Sequence, residues 1–217
     1  MPSIQRWIKE PFPALSHFAG VLFSIAALVI LLNHTQGRLR LIVGFGVYGL
    51  SLIALFSASA LTHGVHGSPK LCARLDKFDY AAIFLLIAGT YTPICLVTLR
   101  GPLGRAILTA EWTMAAIGIL DVVFGKGRSN WFRVVIYVAM GWIAVVAISP
   151  LTHALPPRGW AWLLAGGLLY SVGAVIFALD RPHLWRGVFR AHDLWHVMVL
   201  GGSACHFFLI LNFVAPA

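Results

Sequence analysis

The stretch HDLWHVMVLGGSACHFFLILNFV, His192 to Val214, decides the fold. From Leu194 onward it holds no Asp, Glu, Lys or Arg. About 20 such residues, rising about 1.5 Å each as a helix, cross a hydrocarbon core about 30 Å thick. Six further runs of this kind precede it: Leu15–Leu32, Leu41–Thr62, Tyr80–Leu99, Ala106–Phe124, Val134–Thr152 and Trp160–Leu179. Each is bounded by basic residues or by Pro- and Gly-containing turns. The chain is only 11% charged, against about 25% for a soluble domain, and its mean hydropathy is +0.86. The expected fold is all-α: a polytopic bundle of seven transmembrane helices, one domain over residues 1–217, multi-pass in the cell (inner) membrane.

Pro93 and Pro150 fall inside spans and predict local kinks, because proline removes an N–H and crowds the preceding turn. Gly44, Gly46, Gly49, Gly166, Gly167, Gly201 and Gly202 suit close helix packing in lipid. The first apolar run lacks an A-x-A cleavage site and reads as a retained helix. Of the 16 Lys and Arg residues, eleven fall on the side of the N-terminus and five (Arg38, Arg40, Arg100, Arg105 and Arg158) on the other. That bias predicts a cytoplasmic N-terminus and an external C-terminus.

The net charge of +9 carries no nucleic-acid reading, since the basic residues sit in short loops and form no stripe. They suit an anionic membrane surface, so the expected partners are lipids. Three cysteines, with Cys72 read as a loop residue and no CxxC, support neither a disulfide framework nor a thiolate site.

Ionisable residues near a span are costly, which makes them functional candidates. His192 and His196 are spaced by four, so both imidazoles share a helix face and suit two ligands of one metal. An interfacial or hydrogen-bonded histidine pair fits the same spacing. Topology adds His63 at the end of the second span and Asp79 just before the third, at the same membrane face. Three neutral imidazoles with an open fourth position recur in catalytic zinc sites. Ser59 lies a turn deeper than His63, placed to meet a water or a substrate carbonyl, or to bond the carbonyl four residues back. His206 lies about 15 Å along the axis from His196, too far for the same ion. It is expected in an interhelical hydrogen bond or an outer polar cavity. Glu111 and Asp121 are expected to be paired or to face a cavity, with a proton relay as the other reading. His34, His66, His153 and His183 read as loop histidines, and Trp112, Trp131, Trp160 and Trp185 as part of an interfacial belt. No lysine lies in the seventh span, which excludes a retinal Schiff base.

The segments Ser59-Ala60-Leu61-Thr62-His63 and Asp79-Tyr80-Ala81 through Gly89-Thr90-Tyr91-Thr92-Pro93, with His192-x-x-x-His196, are similar to the hemolysin III branch of the progestin and adipoQ receptor family. Ser16-His17-Phe18-Ala19-Gly20 resembles that branch's opening motif. The resemblance spans essentially the whole chain. It implies zinc held by His63, His192 and His196, with Asp79 beside the metal through water. Ala81 stands where the family often has Ser, and Asp76 competes with Asp79 on spacing alone. The wider superfamily, which includes alkaline ceramidases, implies hydrolysis of an amide or ester bond in a lipid substrate, with Asp79 as base and Ser59 orienting water. A lipid-sensing receptor or membrane homeostasis protein with structural zinc is the alternative expectation, and a hemolysin-type pore the third.

Overall fold

Proline opens four of the helices, at Pro11, Pro69, Pro102 and Pro157, where its missing N–H is no loss and its fixed φ suits the first turn. The structure, a computed structural model, describes residues 4, 6–125, 130–182, 184–185 and 189–216, excepting the side chains of 130–132. Lys126, Arg128 and Arg186 of the basic count, His183, and the side chain of Trp131 lie outside the described residues.

In chain order the elements are α1 (Pro11–Asn33), α2 (Leu39–Gly64), α3 (Pro69–Pro93), α4 (Pro102–Phe124), α5 (Asn130–Trp142), α6 (Ile148–Ala154), α7 (Pro157–Leu179) and α8 (Ala191–Leu209). Among the described residues seven spans are long and apolar enough to cross a membrane, α5 and α6 joining into one over Arg133–Ala154. The third span begins at Pro69, well before the expected Tyr80. Its first turns carry Lys70, Arg74, Asp76 and Lys77, so hydropathy understates a helix whose N-cap is Ser68, bonded to the Leu71 amide at 3.3 Å. Cys72 is therefore helical, not in a loop.

Both internal prolines disturb their helices. After Pro93 the chain continues as a π-helical turn, Ile94–Thr98. Before Pro150, whose ring crowds the carbonyl of Val146, Ile143–Ala147 tightens into a 3₁₀ turn. The Tyr91 hydroxyl serves that break twice. It donates to the Gly141 carbonyl at 2.8 Å and accepts from the Ala144 amide at 3.0 Å. In lipid such freed backbone groups must find partners inside the protein.

The bundle interior is built on Leu31, Phe45, Tyr48, Leu52, Phe56, Leu209 and Ile210, all fully buried. Phe18, Leu22, Leu50, Ile117, Val146 and Leu168 point outward, as a hydrocarbon surround favours. Glycines set the helix separations. A Cβ at Gly20 would lie 2.6 Å from Phe56, and one at Gly173 2.9 Å from Trp195. α1 packs on α2, α2 on α3 and α7 on α8, and α1 also meets α8. This gathers the start of α1, the end of α2 and the start of α8 at one end of the bundle.

Candidate metal centre

At that end, the last residues before α1 are tied to the last turn of α2. The Glu10 amide donates to the His63 carbonyl at 2.8 Å, and the Lys9 amide to the Gly64 carbonyl at 3.3 Å. The start of α8 is fixed by Asp193, whose carboxylate accepts the Arg190 amide at 2.7 Å. His192 thus sits in the first turn of α8 and His196 one turn further, facing His63. One ligand atom from each of His63, His192 and His196 lies within 4.8 Å of the others. The Nε2 atoms of His192 and His196 are 3.0 Å apart. Two imidazole lone pairs approach that closely only around a shared cation or when one nitrogen carries a proton. The donor set fits a borderline metal such as zinc.

Two further side chains complete the arrangement, and the sequence reading gave neither a role. The Nδ1 of His63 donates to Glu10, which leaves its Nε2 lone pair for the cluster. Arg190 reaches the other Glu10 oxygen at 3.3 Å. The hydrogen bond from His63 holds the Glu10 carboxyl down to about 2, against the opposing effect of burial. His196 Nδ1 lies 3.0 Å from Nε2 of His17, a buried residue of α1. With Nδ1 of His196 as donor to His17, its Nε2 is free to ligate. Metal-binding histidines are oriented in this way by partners on their far nitrogens. A signal for both was present: Glu10 directly precedes the helix-opening Pro11 on the face that holds His63, and His17 is an ionisable residue inside a span.

Asp79 is half-buried in α3, outside the three-histidine group. Ser59, buried on α2 a turn before His63, lies close to Asp79. Ser59, Asp79 and the three histidines line one cavity of about 380 Å³, as does Asp76. From there the walls turn apolar, with Leu55, Ile83, Ile87, Leu163, Val199 and Leu209 among them. His206 lines the same cavity but lies outside the histidine group. Glu111 departs from expectation. It is fully buried near Tyr91 and Cys95, neither oxygen is hydrogen-bonded among the described residues, and it does not line the cavity. His34 and His153 are exposed and bonded to carbonyls four residues back. Trp112 does more than mark an interface: its indole N–H donates to Thr92 at 3.1 Å, joining α4 to α3.

Seven spans with three imidazoles gathered at one end, open to an apolar cavity, define a multi-pass membrane protein with a candidate metal centre. The family model described as Haemolysin-III related matches residues 5–207. The chain is 43% identical to Hemolysin-3 of Bacillus cereus, over 100% of this chain and 97% of that protein. It is 38% identical to the Hemolysin-3 homolog of Bacillus subtilis (strain 168), over 94% of each. To the human monocyte to macrophage differentiation factor it is 27% identical, over 77% of this chain and 69% of that protein. The chain belongs to the haemolysin-III-related family and is a multi-pass protein of the cell membrane.

Proposed function

We propose that the protein is a zinc-dependent hydrolase of an amide or ester bond in a membrane lipid. One observation carries this reading: the histidine cluster, Asp79 and Ser59 form the polar end of a cavity whose remaining walls are largely apolar. A lipid enters such a site with its acyl chain along the apolar walls and its scissile carbonyl at the histidines.

His63, His192 and His196 hold the metal. Zinc held there supplies Lewis acidity for the carbonyl and lowers the pKa of water. Asp79 accepts the proton of the attacking water and returns it to the leaving group. Ser59, close to Asp79 on the same cavity wall, orients the water or helps hold the carbonyl oxygen. Glu10 and His17 keep the imidazoles turned toward the centre. The apolar cavity wall disfavours the pore suggested by the relatives' name, since ions need a polar path.

The test is Asp79→Asn in purified protein, with zinc content and lipid turnover measured together. Zinc should remain, while turnover of the cleaved lipid falls roughly 10²–10⁴-fold, as for loss of a general base. Complete zinc loss would make Asp79 a ligand. A wild type that holds zinc but cleaves none of a broad panel of amide- and ester-linked lipids would put the receptor reading first.

A further inference from the structure

His206 is the polar residue this mechanism leaves unused. It is nine-tenths buried on α8, and its Nδ1 has no hydrogen-bond partner among the described residues. Its position is built rather than incidental. The ring stacks on Tyr170, with centroids 5.6 Å apart and planes inclined by 17°. Its Nε2 rests against Gly166, where even a Cβ would come within 2.7 Å. The Tyr170 hydroxyl is already engaged with Ser203 at 2.8 Å. A polar group without a partner is expensive at membrane depth, and a buried one calls for a reason.

The cavity supplies that reason. Thr98 Oγ1 and Trp160 Nε1 also lack partners, and both residues line the same cavity as His206. They come from the turn after α3 and from the start of α7, so three separate elements bring polar residues to its far half. Between them and the histidine cluster the wall includes Leu55, Ile83, Ile87 and Val199.

We infer that the far half of the cavity is a second polar subsite, centred on His206, which recognises a hydroxyl in the body of a long-chain lipid whose head lies at the histidine cluster. The inference rests on the reading of this cavity as an acyl-chain site and adds the class of chain. The spacing fixes where the hydroxyl belongs. His206 follows His196 by ten residues, or about 15 Å of helix axis. Carbon–carbon bonds of about 1.5 Å advance roughly 1.25 Å each in an extended zigzag. The hydroxyl therefore sits about 12 carbons from the head. Imidazole donates or accepts according to its tautomer, so a hydroxyl there pairs in either sense.

The full-length protein in detergent is titrated with octadecanoic acid and 12-hydroxyoctadecanoic acid, displacing a fluorescent fatty acid. Neither acid has an amide or ester to cleave, so binding is read apart from turnover. The 12-hydroxy chain should bind about 10-fold more tightly, the worth of one neutral hydrogen bond. His206→Phe keeps a ring against Tyr170 and should bring the two affinities together, while His206→Gln should restore part of the difference. 2-Hydroxyoctadecanoic acid, whose hydroxyl stays at the head, should respond to neither substitution. Equal wild-type affinities for the plain and 12-hydroxy chains would overturn the subsite while leaving the acyl-chain site intact. A preference surviving in a folded His206→Phe protein would also overturn it. Binding of neither chain would remove both the subsite and the lipid-filled cavity beneath the proposed function. A His206-dependent preference without any hydrolysis would uphold the subsite and sink the hydrolase alone.

Discussion

His63 shows how a single side chain draws its orientation from three places. Its backbone carbonyl takes the Glu10 amide, its Nδ1 donates to the Glu10 carboxylate, and its ring meets those of His192 and His196. Replacing both His192 and His196 by Ala should abolish zinc binding in purified protein, measured by elemental analysis. His206→Ala, outside the cluster, should retain it; full zinc in the double variant would end the metal assignment. Glu10→Ala should leave zinc bound but about 10–100-fold more weakly, because His63 loses the partner that sets its tautomer. A competition titration against a chelator reads that shift, and an unchanged affinity would reduce Glu10 to an interhelical tie. The three cluster histidines were legible from spacing and topology. Glu10 and His17 could be singled out by position, but not their partners, since these depend on how α1 docks on α2 and α8, and spacing along one helix says nothing of that.

At the scale of the element, hydropathy reads what faces lipid and misreads what does not. α3 runs on past the apolar run through Asp76 and Lys77 to Pro69, so Asp79 sits within a helix and not ahead of it. The Ser68-Pro69 start was readable as an N-cap followed by a first-turn proline. The breaks at Pro93 and Pro150 followed from proline chemistry, but the Tyr91 hydroxyl that repairs one of them comes from a neighbouring span. Glycine positions suggested close packing without saying which neighbour each meets. At Gly46 and Gly167 the expected close packing is absent, since a Cβ there would meet nothing within 4 Å among the described residues, while Gly118, not among the expected positions, is tightly packed. Gly118 and Gly46 give a paired expectation. A Cβ at Gly118 would fall 2.2 Å from the Phe84 ring, whereas at Gly46 nothing lies within 4 Å. Gly118→Val should cost about 1–3 kcal/mol through overpacking between α3 and α4. Gly46→Ala should be neutral or stabilise by up to about 1 kcal/mol through helix propensity. Thermal melts of both variants in one detergent check the pair, and equal melting temperatures would contradict the packing described.

Across the whole molecule, seven spans put the two termini at opposite ends. Glu10 lies at the end that holds the histidine cluster, and Arg38 at the other, its guanidinium donating to the Ala215 carbonyl at 3.1 Å. Counted along the sequence, the basic residues of the connections divide eleven to five in the same sense, with Lys70, Arg74 and Lys77 in the first turns of α3 on the side of the N-terminus and Arg38, Arg40, Arg100, Arg105 and Arg158 on the other. Short loops rich in Lys and Arg stay on the cytoplasmic side. We therefore propose that the histidine cluster faces the cytoplasm, where a water-soluble head group released by hydrolysis would leave. A reporter enzyme active only outside the cytoplasm should give signal when fused after Val214 and stay silent when fused in the connection between α2 and α3. A second readout does not depend on fusions. A membrane-impermeant chelator added to intact cells should leave the zinc in place, while the same chelator added to inverted membrane vesicles should draw on the site. Signal from the α2–α3 fusion with silence at the C-terminus would reverse the orientation and place the metal centre outside.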